Sequence, residues 1–310
     1  MSNKVLYKPT VSIILVTYHS AAFVRETLES IKAQDYDRIE LVITDDCSGD
    51  DTVAVLQEWL DHPENVQGFT RVKLVTNEKN LGVAGNCNAG LAESTGDWIK
   101  LIAGDDLLLP TCISTFVAAM QQQPDAKIMV SKLKLFRDQL ENQEYVWPLQ
   151  PLDTGLEQQF RYQLRGSYMK APAVIMNASV LKGFGGFDER MPFLEDDPMW
   201  IKFLQHGYPF TFVPKVLVAY RLHTASISNG TGAKYMSVLF FNSLKKYKEI
   251  MALPLLKEKG MWFWHFLVKL ELDTMQEIID GGNHGQLSFK HKVIFKVVSV
   301  LREQSRKYKI

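Results

Sequence analysis

The chain has 310 residues, 46% hydrophobic and 23% charged, with 35 basic side chains against 35 acidic ones. A formal charge of zero gives no global attraction to nucleic acid, and the composition is that of a soluble globular protein with enough apolar residues for a large core and a smaller appended region. Cys47, Cys87 and Cys112 are scattered and odd in number, which fits a reducing cytoplasm better than a disulfide framework or a thiolate metal site. The opening MSNKVLYKPT is polar, and no apolar run reaches the roughly 18 residues of a membrane span, so neither a leader nor a span is expected.

In chain order, Val11 to Thr17 (VSIILVT) is a continuous apolar run of the kind buried on both faces of a parallel sheet. A helix is predicted from about Ser20, with Val24, Leu28 and Ile31 on one face. Ile39 to Thr44 (IELVIT) is a second strand, stopped by Asp45 and Asp46. Ser48 or Asp50 is positioned to cap the helix that carries Val53, Leu56 and Leu60. Val72 to Val75 is a third strand, and a glycine-containing turn over 80–85 leads into a helix reaching about Glu93. Trp98 to Ile102 is a fourth strand, closed by Asp105 and Asp106. Pro110 starts a helix with Ile113, Phe116, Val117 and Met120 at core spacing, and Ile128 to Phe136 is a fifth extended segment.

Alternating strands and helices imply right-handed crossovers and an α/β fold with a doubly wound, mostly parallel sheet. Ligands of such sheets bind beyond the carboxyl ends of the strands. Both acid pairs fall on that edge. Adjacent carboxylates repel unless a cation or strong donors share them; an acidic turn beside a helix N-terminus is the alternative reading. No G-x-G-x-x-G follows the first strand, where the sequence is YHSAAF, and no Walker A motif occurs. An acidic ligand edge instead suits phosphates bridged by Mg²⁺ or Mn²⁺, which points to nucleotide-sugar chemistry.

Five segments, in order, then resemble the family-2 glycosyltransferases with the GT-A fold: VSIILVTYHS, VITDDCSGDDT, NEKNLGVAGNCNAGLAESTGDWIKLIAGDDLLLP, GGFDERMPFLEDDPMW and VLVAYRLHTASIS. They span roughly residues 10 to 230. The resemblance implies a catalytic domain over 1–230, with a nucleotide-sugar half at about 10–137 and an acceptor half at about 138–230. It implies that Thr17, Tyr18 and Asp46 lie around the nucleoside of a UDP-sugar donor. Asp105 would be the main ligand of Mn²⁺ or Mg²⁺, with Asp106 beside it and His223 as a further ligand, while Arg221 would hold the diphosphate. Asp196 would be the general base of an inverting, non-processive transfer to a glycan or lipid-linked saccharide, as in bacterial surface polysaccharide synthesis. Glu195, Gly185 and Gly186 would lie on the acceptor side.

Each residue also has a plainer reading. Glu195, Asp196 and Asp197 could simply cap a helix, Gly185 and Gly186 permit a turn, His223 pack at the surface, and Tyr18 sit buried at a strand end. Departures from the family pattern are Ala103, where many relatives carry an acid, and Cys87, often an arginine. They keep a non-catalytic nucleotide-sugar binder open as an alternative. A sugar-1-phosphate nucleotidyltransferase is the other, although its glycine-rich basic loop is missing from 18–30.

Residues 231–310 read as a helical extension. The last stretch, FKHKVIFKVVSVLREQSRKYKI, is strongly basic and amphipathic. An anionic membrane surface at the inner face of the cell membrane, a homodimer contact and a solvated helix packed on the catalytic domain all fit it.

Overall fold

The computed structural model describes residues 8–137, 140, 145–147, 154–166, 169–223, 235–282 and 287–307. Parts of the expected acceptor half, including 148–153 and 224–234, lie outside the described residues, and with them the end of the last family-like segment.

The first half alternates β1 (Val11–Thr17), α1 (Val24–Lys32), β2 (Ile39–Asp45), α2 (Thr52–Leu60), α3 (Pro63–Val66), β3 (Arg71–Thr76), α4 (Gly82–Glu93), β4 (Trp98–Ala103), β5 (Leu107–Leu108), α5 (Cys112–Gln122) and β6 (Ile128–Phe136). The second half adds β7 (Tyr145–Trp147), α6 (Leu156–Arg165), β8 (Val174–Asn177), α7 (Ala178–Gly183), α8 (Asp196–Gln205) and β9 (Thr211–Arg221). Four helices close the chain: α9 (Val238–Tyr247), α10 (Leu253–Glu258), α11 (Trp262–Asp280) and α12 (Phe289–Lys307). A π-helical turn over Lys248–Ala252 joins α9 to α10.

One sheet runs in the order β3-β2-β1-β4-β8-β6-β9-β5, with β7 beside β6. β1 pairs in parallel with both β2 and β4, which explains its unbroken apolar sequence: helices cover both faces, so neither face can be polar. The expectation of a doubly wound, mostly parallel sheet holds. β8 enters antiparallel between β4 and β6, and β5 antiparallel beside β9, so the second half is mixed. These strands are short and follow no helix-strand rhythm, which is why alternation alone did not expose them.

Helix α4 lies very close on the sheet. A Cβ at Gly90 would collide with the Ile14 side chain, so glycine sets that approach. Glu40 of β2 and Lys100 of β4 are charged residues buried within strands. Burial draws the Glu40 carboxyl upward, but hydrogen bonds from Ser12, from the Thr95 backbone and from Arg71 outweigh it and leave it below its ordinary range. Burial pushes the Lys100 ammonium down to about 8, and its protons go to the carbonyls of Leu101 and Pro172.

The C-terminal helices are fastened by ions. Glu271 of α11 is buried, accepts both Arg302 Nη1 and Nη2 at 2.7 and 2.6 Å, and pairs with Lys248 at 3.0 Å. Burial works against this carboxylate, but Lys248 and Arg302 win and hold it at about 2. Arg302 also donates to the Arg165 carbonyl at 2.6 Å, which ties α12 to α6.

Candidate active site

The loops after β1 and β2 form the first end of the site. Thr17 is buried, and its hydroxyl donates to the Thr44 carbonyl and to Asp45 Oδ2, both at 3.0 Å. Asp45 in turn accepts the Ser48 backbone N–H at 2.8 Å and the Ser48 hydroxyl at 2.6 Å. Ser48 therefore closes a turn rather than capping α2. The N-cap residue of α2 is Asp51, which makes no side-chain capping bond; Asp50, one position earlier, accepts the Thr52 N–H at 3.1 Å.

Asp46 is buried, and both of its oxygens face α4: Oδ1 accepts Leu81 N–H at 2.8 Å and Oδ2 accepts Gly82 N–H at 2.9 Å. Asn77 Nδ2 adds a third contact at 3.1 Å. A carboxylate at free N–H groups of a helix start is favourable twice over, through hydrogen bonds and through the helix dipole. What these loops expose is aromatic. Tyr18 is 42% exposed, not buried, and its ring stacks on His19 with centroids 4.1 Å apart. His19 and Cys47 both hold positive φ, 49° and 62°, so the two edge loops carry backbone strain.

The second end follows β4. Asp106 is buried: its Oδ1 accepts the Arg221 backbone N–H at 2.9 Å, and its Oδ2 has no hydrogen-bond partner among the described residues. Burial first, and the charge of Asp105 second, push this carboxyl well above its ordinary range. With Oδ2 unpartnered among the described residues, burying the charged form of Asp106 is costly, which is the physical cause of the upward shift. Asp105 keeps a partly exposed side chain, and its Oδ2 lies 2.6 Å from His223 Nε2.

Arg221 lies beneath these residues. Its guanidinium donates to the Asp105 carbonyl at 2.9 Å and to the Arg137 carbonyl at 3.4 Å, pairs with Glu26, and sits between the rings of Phe23 and Phe136. Committed in this way, Arg221 clamps the Asp105 loop from below; its expected grip on a diphosphate is not what its present contacts serve. Glu26, which completes the clamp, carries no signal in the sequence because it lies 195 positions away on α1.

The third group is the acid run at the start of α8. Asp197 is buried and accepts Gln163 Nε2 at 2.7 Å, joining α8 to α6. Asp196 accepts the Asp197 N–H at 2.7 Å. Burial, then the charges of Asp197 and Glu195, raise the Asp196 carboxyl well above its usual range. Glu195 is raised too, by burial and by Asp197. Gly185 and Gly186 lie just after α7 with φ near +77° and +76°, and a Cβ at Gly186 would meet Asn88 Oδ1. Asn88 pins that loop to α4 through Phe187, accepting its N–H at 2.8 Å and donating to its carbonyl at 3.0 Å. The turn alone accounts for both glycines.

Two residues outside the expected set connect these ends. Tyr220 precedes Arg221 on β9, and strand alternation sends its ring to the other face. Burial raises its hydroxyl pKa, followed by the charges of Asp106, Asp105, Asp196 and Glu195, so both acid groups act on Tyr220. Burial likewise raises Cys87, followed by Glu195, Asp46 and Asp196. Lys170 Nζ stands 5.8 Å from the Tyr220 ring centroid and is a cation near Asp196. The sequence offered a clue to Tyr220, its place directly before Arg221 in the family-like segment VLVAYRLHTASIS.

Among the described residues no group of three or more His, Cys, Asp or Glu side chains could hold a metal ion. Of the expected metal ligands, Asp105 and His223 lie side by side, while Asp106 is buried and turned to the Arg221 backbone. One carboxylate and one imidazole fit Mn²⁺ or Mg²⁺ only as part of a set completed by substrate oxygens and water. Among the described residues no helix is long and apolar enough to cross a membrane.

A mostly parallel sheet with acid-lined loops beyond its strand ends defines a GT-A type transferase fold. The family model Glycosyl transferase family 2 matches residues 12–184, and the chain belongs to that family. A Bacillus subtilis protein bearing the name glycosyltransferase EpsE is 26% identical over 202 residues, covering 64% of this chain and 68% of that one. Among solved structures, residues 1–349 of Staphylococcus aureus TarS in complex with UDP-GlcNAc align with a TM-score of 0.60 at 18% identity, covering 76% of this chain and 65% of that one. The Pyrobaculum calidifontis mannosyltransferase PcManGT in complex with GDP-Man and Mn²⁺ gives 0.52 at 18% identity, covering 95% and 81%. At these identities the structures speak for the fold.

Proposed function

We propose that this glycosyltransferase is an inverting, non-processive enzyme that moves a sugar from a nucleotide sugar to a hydroxyl of a glycan or lipid-linked saccharide. The observation that carries the reading is the pairing of Asp105 with His223 at 2.6 Å beyond β4, alongside a second acid group, Glu195 and Asp196, at the start of α8. Two separate acid groups suit a reaction that needs charge control at both the leaving group and the attacking hydroxyl.

The donor's nucleoside lies at the edge formed by Tyr18 and the loop that Asp46 fastens, with the exposed Tyr18 ring as a stacking platform. A UDP-sugar is the preferred donor class, on the strength of the UDP-GlcNAc complex of TarS. Asp105 and His223 would hold Mn²⁺ or Mg²⁺, with Asp106 behind them, and such an ion supplies Lewis-acid stabilisation of the departing diphosphate. Arg221 and Glu26 keep the Asp105 carboxylate in place.

Asp196 removes the proton from the acceptor hydroxyl as that oxygen bonds to the anomeric carbon. The bond from that carbon to the diphosphate oxygen breaks in the same displacement, and the configuration inverts. A raised carboxyl pKa improves Asp196 as a base, because a more basic carboxylate has more driving force to take a hydroxyl proton. Glu195, on the acceptor side with the Gly185–Gly186 turn, helps hold that pKa up.

The test is thermal melting with UDP-, GDP-, CMP- and dTDP-sugars, each with and without Mn²⁺. Binding raises the melting temperature by mass action. One nucleotide class should stabilise the protein in a metal-dependent way, and the dependence should vanish in Asp105→Ala. No stabilisation by any of these ligands would remove the reading.

A further inference from the structure

Helix α12 carries two apolar faces where one would suffice for folding. Val298 is buried and Ile294, Phe295 and Leu301 are partly buried on the packed side, with Phe295 stacked on Tyr235 at 5.8 Å. Across the helix, Phe289, Val293, Val297 and Val300 are all exposed, Phe289 at 83%. Their spacing of four, four and three residues puts them in one stripe about 80° wide at 100° per residue. Exposed Lys292 and Lys296 border the stripe on one side and Lys290 on the other, Lys290 reaching back to Glu277 at 2.7 Å. The preceding helix adds a second exposed set, Trp262, Phe263 and Phe266, with Trp262 at 64%. Beside it lies a recess of about 350 Å³ lined by Lys257, His265 and Lys269 with Glu249, Leu253 and Pro254.

A lone exposed Val or Phe is ordinary, but an ordered apolar stripe with a lysine border is the pattern of a helix lying in a lipid interface. The lysines also argue against a second copy of the chain as the occupant. A symmetric contact through this stripe would set each lysine border against its own image.

We propose that α12, helped by the aromatic start of α11, is a peripheral docking surface for an anionic lipid bilayer. The valines and Phe289 enter the acyl boundary while the lysines meet acidic headgroups. The ion set Glu271, Lys248 and Arg302 holds α12 on the body of the protein, so the stripe is presented by a fixed helix rather than a free tail. This surface lies apart from the acids of the cleft and is independent of the transfer reaction, so vesicle binding tests it without reference to activity.

The experiment is flotation of the full chain with phosphatidylglycerol-containing vesicles and with pure phosphatidylcholine vesicles. Binding to the first and not the second is expected, with release in 1 M NaCl as the headgroup field is screened. Lys292→Glu with Lys296→Glu should lower the partition coefficient by at least about 30-fold, since each basic residue near such a surface contributes about fivefold and reversal of the charge adds to the loss. Val293→Ser with Val297→Ser should lower it at least about tenfold. All four positions are exposed, and unchanged melting curves will show that the variants fold; should either variant fail to fold, the lipid and salt dependence of the wild type decides. Equal binding to both vesicle types, no binding to either, variants that bind like the wild type, or a dimer dissolved by Val297→Ser would each overturn the proposal.

Discussion

The two acid groups at the nucleotide end look alike in sequence, yet the structure gives them opposite duties, and Asp46→Ala against Asp105→Ala separates these. Asp46 accepts two backbone N–H groups at the start of α4 and the side-chain amide of Asn77, just after β3, at 2.8 to 3.1 Å. Hydrogen bonds to a carboxylate contribute about 1.5–3 kcal/mol each, but these will not be lost in full. Gly82 N–H retains a second acceptor, Asn80 Oδ1 at 3.1 Å, and Leu81 is exposed enough for water to replace its partner. A net destabilisation of about 3 kcal/mol is therefore expected for Asp46→Ala, including the lost charge at the helix terminus. Asp105 caps no helix, and its charge pushes Asp106 upward. Removing it relieves a like-charge contact and gives up only a partly exposed contact with His223, so the change should stay within about 0.5 kcal/mol. Urea denaturation read at constant m-value gives both numbers. If Asp46→Ala unfolds at the wild-type midpoint, or Asp105→Ala falls alongside it, the division of labour is wrong.

Asp196→Asn should lower kcat by about 10² to 10⁴ while nucleotide-dependent stabilisation is retained; turnover near wild type would take Asp196 out of the reaction. Because burial and neighbouring acids raise the Asp196 carboxyl, the base is lost as pH falls through that raised value, and the acid limb of kcat/KM should lie above the ordinary aspartate range. Glu271 gives a stability signature. Its folded value of about 2 lies below the ordinary 4.5, so its contribution is present above about pH 5 and disappears as pH falls toward 2. That shift corresponds to about 3 kcal/mol near neutrality. The stability difference between wild type and Glu271→Gln should accordingly shrink on acidification, and a difference independent of pH would show that the ion set is not its source.

Much of the fold was legible because the signals were local. A continuous apolar run marked β1 as an interior strand, β-rich residues marked β2, and acids at strand ends marked the ligand edge. The later strands were harder to read. β8 has four residues and β5 two, too few for a period to emerge, and both pair antiparallel with strands distant in sequence. At the site, the family-like segments brought Asp46, Asp105, Asp196 and His223 to attention, but residue type could not say which carboxylates face solvent and which fasten loops.

Sequence by itself determined the class of sheet, the family and the position of the acid groups along the chain, since each depends on residue type and short spacing. Tertiary structure alone decided that Asp46 holds a helix start, that Asp106 is a buried acid with an orphan oxygen, and that Arg221 clamps a loop from beneath. It also decided that both acid groups act on Tyr220 and that α12 turns a second apolar face outward. The reason is physical. Burial, and the charges brought close by distant segments, set whether a carboxylate is ionised, and both are properties of the packed chain rather than of any stretch of it.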